Sequence, residues 1–112
     1  MPYNIREAAQ SLMVEEEELL EILDIYFMET RDSLAECESA LKTGNCDALT
    51  RLFHAMKGSA SNFRMNDLSK LAADMESGAK SGELGIIGSN LPLFRKEFES
   101  NQKQVEGLKI VR

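Results

Sequence analysis

The chain has no tryptophan, one histidine, two prolines and two cysteines among its 112 residues. Each scarcity excludes something. Cys37 and Cys46 have neither metal-site spacing nor the makings of a disulfide framework. A lone histidine, His54, with Thr50 and Gly58 at i±4, leaves zinc without a ligand set on that face. Apolar runs extend only a few residues, too short to cross a bilayer as a helix. Positive charge is in deficit: 13 Lys and Arg against 19 Asp and Glu give a net charge of −6. That argues against sequence-independent nucleic-acid binding, which needs cations to displace phosphate counterions. Met1 to Gln10 carries charge and no apolar block, so no signal peptide is expected and the cytoplasm is the expected compartment.

Helix-forming residues are plentiful. Leu, Ala, Glu, Met and Lys dominate, with 43% of residues hydrophobic and 29% charged, the profile of a soluble globular protein. A chain of this size buries roughly two-thirds of its surface on folding, enough for one core, so residues 1–112 read as a single domain.

The apolar spacing divides the chain into helices. Pro2 to Gln10 reads as a short helix with Pro2 near its start, and Glu15 to Glu18 suits the first turn of the next helix. From Glu15 to Lys42, Leu19, Ile22, Leu23, Tyr26, Leu34, Cys37 and Leu41 form a stripe. Phe27 borders that stripe and Thr30 interrupts it, so the segment is one long helix or two with a kink. Thr43-Gly44-Asn45 is a stop, and Asn45 or Asp47 caps a helix striped by Leu49, Leu52, Phe53, Met56, Ala60 and Phe63. Asn66 or Asp67 starts another, striped by Leu68, Leu71, Ala72, Met75 and Ala79. Glycines and serines predict a connection from about Ser81 to Asn90, then a last helix with Pro92 in its first turn and Leu91, Phe94, Phe98, Val105 and Leu108 inward. The expected fold is all-α: an antiparallel four-helix bundle with a short extra N-terminal helix. Of the five internal methionines, those on or beside the stripes read as core filler.

His54 breaks the pattern. At roughly 100° per residue, Leu49, Leu52, Met56, Ala60 and Phe63 cluster within about 80° of arc, and His54 lies roughly 160° from their midpoint. It faces solvent or a partner. Lys57 and Gly58, at i+3 and i+4, and Ser61, at i+7, share its face. A glycine inside a helix costs about 1 kcal/mol relative to alanine, yet the stripe continues in register to Phe63. Gly58 therefore reads as bare backbone that lets another surface approach His54.

The stretch His54-Ala55-Met56-Lys57-Gly58-Ser59-Ala60 resembles the signature of histidine-containing phosphotransfer domains, the HPt modules of multistep phosphorelays. Phe63, Leu68, Leu71, Ala72, Met75 and Glu76 continue the resemblance, which covers roughly residues 11 to 108. It departs at Arg64, where the family usually has a second glycine; the departure implies a different turn between the central helices or a slightly longer helix.

The resemblance implies a phosphoryl carrier without an ATP-binding domain, rather than an enzyme. His54 would accept a phosphoryl group from the phospho-aspartate of one receiver domain and pass it to another. Lys57 would stabilise that group and Gly58 would admit the receiver. Glu76, or less directly Ser61, Ser69 or Lys70, would orient the ring. The partners implied are receiver domains of response regulators or hybrid histidine kinases, with magnesium bound by the receiver and no cofactor on this chain. Leu12, Met13, Ala55 and Met65 are candidates for the apolar part of the docking surface. The rival reading is a helical adaptor that binds a partner without phosphoryl chemistry; it leaves Gly58 beside an outward histidine unexplained.

Overall fold

The computed structural model describes residues 2–111; Met1 and Arg112, the two ends of the single-domain reading, lie outside the described residues. Its helices are α1 (Ile5–Leu12), α2 (Glu16–Lys42), α3 (Cys46–Asn62), α4 (Asn66–Ser81) and α5 (Leu84–Ile110), with no strand among the described residues.

Local chemistry accounts for most of the boundaries. The Asn4 side chain accepts a hydrogen bond from the Glu7 N–H at 3.0 Å, so α1 starts at Ile5 rather than beside Pro2. It runs past Gln10 to Leu12 and closes on Met13 in the left-handed conformation, at φ 59°. At the head of α2 the Glu15 N–H donates to Glu18 Oε1 at 3.2 Å, and three glutamates occupy the positive end of the helix dipole. Thr30 is buried within the stripe and leaves α2 a single helix of 27 residues. Ile22, assigned to the stripe, lies at its margin and is partly exposed, whereas Phe27 is buried. Asn45 caps α3 by accepting from the Ala48 N–H at 3.1 Å.

The last helix departs most from expectation. The glycine-rich stretch is not a long connection: α4 closes on Gly82, at φ 74°, and α5 starts at Leu84. Leu84, Ile87, Leu91, Phe94 and Phe98 recur at helical spacing, with Ile87, Phe94 and Phe98 almost completely buried. Burying Ile87, worth about 1.5–3 kcal/mol, together with packing half-buried Leu84 against the core, outweighs the helix penalty of about 1 kcal/mol each for Gly85 and Gly88. Pro92 consequently lies inside α5, not in its first turn. The carbonyl it leaves without a partner belongs to Gly88, which is exposed and can be hydrated.

Contacts along the seams place each helix antiparallel to its neighbours in the ring. Tyr26 meets Phe63 and Cys37 meets Met56 between α2 and α3; Lys57 meets Ser69 between α3 and α4. Asn101 Nδ2 donates to Asp67 between α4 and α5, and Phe27 packs edge-on against Phe98, centroids 5.6 Å apart, between α2 and α5. The result is the expected up-and-down four-helix bundle, about 44 × 22 × 22 Å.

α1 covers one end of the bundle. Tyr3 donates its hydroxyl to the Phe63 carbonyl at 2.9 Å and its backbone N–H to Gln104 Oε1 at 2.6 Å, while Glu7 pairs with Arg64 at 3.3 Å. Arg64 has φ 59°, so the α3–α4 turn retains a left-handed residue of the kind glycine supplies most easily, and α3 does not run further. Met56, Met65 and Met75 are core residues, whereas Met13 and Met28 are exposed. Met65 is thereby removed from the candidate docking surface, to which exposed Ala55 and Met13 remain available.

Candidate functional site

The apolar stripe of α3 turns inward and so carries His54 outward, leaving its side chain 70% exposed. One helix over, Glu76 lies on the flank of α4 that abuts α3, and its side chain is only 6% exposed. The two meet across the seam, with His54 Nδ1 2.9 Å from Glu76 Oε2. The other carboxylate oxygen, Oε1, accepts from Lys57 Nζ at 2.7 Å. Lys80, one turn after Glu76 on α4, places its ammonium 3.5 Å from Oε2.

Charge follows from this geometry. The Lys57 hydrogen bond, helped by those of His54 and the charge of Lys80, holds the Glu76 carboxyl down at about 2, although burial pushes the other way. Glu76 is therefore a carboxylate at neutral pH and can only accept hydrogen bonds. The shared proton must sit on His54 Nδ1. In the neutral ring this leaves the Nε2 lone pair unprotonated, on the side away from Glu76. The side chain thus presents a nucleophilic nitrogen whose tautomer is set by a buried anion.

The surroundings of the ring are open. Gly58 is exposed, and a Cβ built on it would meet nothing within 4 Å. Substitution there would fill space outside the protein rather than within it. Ser61 is exposed and makes no hydrogen bond to His54, and Lys70 is likewise exposed on α4. Ser69 Oγ lies 3.4 Å from the Lys57 carbonyl and so joins the helix backbone rather than the imidazole. Of the sequence candidates, the seam brings together His54, Lys57 and Glu76, and it adds Lys80. The signal for Lys80 was present as a Glu–Lys pair at i, i+4, a spacing common on any solvated helix.

Other nucleophiles are poorly placed. Burial pushes the Cys37 thiol up to about 12, and its Sγ packs 3.8 Å from Met56 Sδ. Among the described residues no group of three or more His, Cys, Asp or Glu side chains is placed to hold a metal ion, and no helix is long and apolar enough to cross a membrane.

Comparison with known proteins identifies the family. The family model described as Hpt domain matches residues 21–104. Among solved structures, the chain is similar to histidine-containing phosphotransfer protein B (HptB) from Pseudomonas aeruginosa PAO1, with a TM-score of 0.88 and 24% identity over 98% of this chain and 96% of that one. That likeness establishes a shared fold. No curated protein matches the chain. The family match runs from within α2 to within α5 and includes the whole of the α3–α4 seam. The chain therefore belongs to the Hpt domain family, with a histidine phosphotransfer role in a phosphorelay.

Proposed function

We propose that His54 is the residue that carries the phosphoryl group, that Lys57 stabilises it, and that Glu76 orients the ring. The observation that carries this reading is the hydrogen bond from exposed His54 to buried Glu76, which leaves Nε2 as the free nucleophile. Hpt proteins are phosphocarriers rather than enzymes of the usual kind, and they interact with receiver domains.

The step balances on the groups present. The Nε2 lone pair attacks the phosphorus of a receiver's aspartyl phosphate; the P–O bond breaks and its electron pair leaves with the aspartate carboxylate. The proton on Nδ1 stays where it is, so the ring becomes cationic against the Glu76 anion, which stabilises it. Passing the group on reverses these changes at a second receiver's aspartate. Little further bond chemistry is required, so positioning and charge stabilisation carry the transfer. Lys57 is one helical turn from His54 and adds positive charge near the phosphoryl oxygens. Gly58 leaves room for the receiver, and the magnesium this chemistry uses belongs to the receiver. In this reading the protein is a cytoplasmic intermediate between receiver domains of hybrid kinases or response regulators.

Direct phosphorylation by phosphoramidate, followed by mass spectrometry, tests the assignment. Native protein should gain one acid-labile, base-stable phosphate, and a receiver domain with magnesium should drain it. His54→Gln should stay folded and gain none. Gly58→Gln should accept phosphate from phosphoramidate but exchange it with a receiver more slowly. Phosphate on the folded His54→Gln variant at the native rate would refute the site.

A further inference from the structure

Glu76 has more cationic partners than orienting an imidazole requires. Lys57 holds Oε1, while His54 and Lys80 share Oε2. An almost buried carboxylate without counter-charge is strongly disfavoured. Yet the chemistry assigned to Lys57 draws it toward a phosphoryl group on His54. As Lys57 turns to that group it gives up its contact with Glu76, the shortest of the three at 2.7 Å. The anion is then left with the ring N–H and whatever other cation is in reach.

Lys80 is that cation. It stands on α4 with Glu76 itself, so its approach does not depend on how α3 and α4 sit against one another. Its side chain is 64% exposed, and its ammonium, at 3.5 Å, lies farther from the carboxylate than that of Lys57. A lysine suits such an exchange, because its ammonium is a compact charge with three donors on a flexible stem. We propose that Lys80 is a positioning residue: it takes over neutralisation of Glu76 when Lys57 turns to the phosphoryl group, and so releases Lys57 for transfer. The inference rests on the assignment of His54 and Lys57 above. Lys80 itself touches no reacting atom.

The rate of phosphoryl uptake from phosphoramidate tests it without a receiver surface. In that reaction the P–N bond of the donor breaks, its electron pair leaves with ammonia, and the Nε2–P bond forms while Nδ1 keeps its proton. Five proteins are compared by mass spectrometry: wild type, Lys80→Met, Lys80→Arg, Glu76→Gln, and Glu76→Gln combined with Lys80→Met. Lys80→Met should slow uptake about two- to fivefold, the factor that corresponds to a partly exposed ion pair. Lys80→Arg should restore most of the rate. In the Glu76→Gln background, where the neutral amide needs no counter-ion, removing Lys80 should change nothing further. That coupling is what a merely structural lysine, or one that only attracts the anionic donor, would not produce. Uptake by Lys80→Met at the wild-type rate would overturn the proposal. So would a slowing that persists undiminished in the Glu76→Gln background. Absence of any adduct on wild type would instead remove the His54 assignment, and this inference with it.

Discussion

Two seams face each other across the bundle, and they use charge in different ways. Between α3 and α4, one nearly buried carboxylate collects three nitrogen donors beside an exposed ring. Between α2 and α5, the interior is aromatic, with Phe27 edge-on to Phe98 and Phe98 stacked on Phe94, and the charges remain outside. There Arg95 pairs with Glu38, Lys109 with Asp24, and Arg31 lies over the Phe98 ring at 5.3 Å. At the α2–α5 seam the buried contact is aromatic, and the ion pairs decorate the rim. In the α3–α4 seam a charge is taken out of water and satisfied from several directions, an arrangement that favours a set geometry over raw stability. The α2–α5 contacts serve the fold alone, whereas the α3–α4 seam both packs the core and presents the histidine.

Breaking the aromatic seam should produce the largest effect on stability. Phe98→Ala removes a ring that is 1% exposed and should cost about 3–5 kcal/mol, read as a lower midpoint in urea unfolding. Phosphate uptake by the fraction that remains folded should be unchanged. A loss of uptake in that folded fraction would show that the two seams are not separable.

Glu76→Gln should have a smaller effect, about 2–3 kcal/mol, because a nearly buried carboxylate held well below its ordinary value contributes on that order at neutral pH. Its signature is the pH dependence. The Glu76 carboxyl is held at about 2 in the folded protein, below its ordinary value of 4.5. Its contribution is therefore fully present above pH 4.5 and is lost as pH falls from there through about 2. The stability difference between wild type and Glu76→Gln should accordingly be flat near neutrality and shrink across that acid window. A difference that does not change with pH would mean that the carboxylate is not selectively stabilised by folding.

At the small end, Arg64→Gly relieves a left-handed conformation that costs a residue with a Cβ about 1 kcal/mol, and forfeits the partly exposed pair with Glu7. The net gain should be a few tenths of a kcal/mol in thermal unfolding. Glu38→Ala should have the least effect of all, below about 1 kcal/mol and smaller in high salt, because its pair with Arg95 is partly exposed. A salt-insensitive loss larger than that would erase the distinction between the two seams.

These regions were not equally legible in the sequence. The stripes of α2, α3 and α4 follow directly from periodicity, as does the outward placement of His54, because both depend on angles within a single helix. The start of α5 did not, since Gly85 and Gly88 carry a strong local turn signal and the burial of Ile87 that overrides it is a property of the assembled core. Phe27 was harder to place for the same reason: a residue at the border of a stripe is buried or exposed according to the neighbouring helix, here α5. Arg64 looked like a break in the turn, whereas its pairing with Glu7 involves a helix more than fifty residues earlier in the chain.

By itself, the sequence determined the helical class, the inward faces, the outward histidine and the company of Lys57 and Gly58 on its surface. All of these are set by residue type and by the 3.6-residue repeat. Only the tertiary structure decided which carboxylate meets the ring, that the same carboxylate also holds Lys57 and Lys80, and which imidazole nitrogen is left free. These depend on the axial register and rotation of α4 against α3. Side-chain packing through the whole core sets that register, and no spacing along one chain segment encodes it.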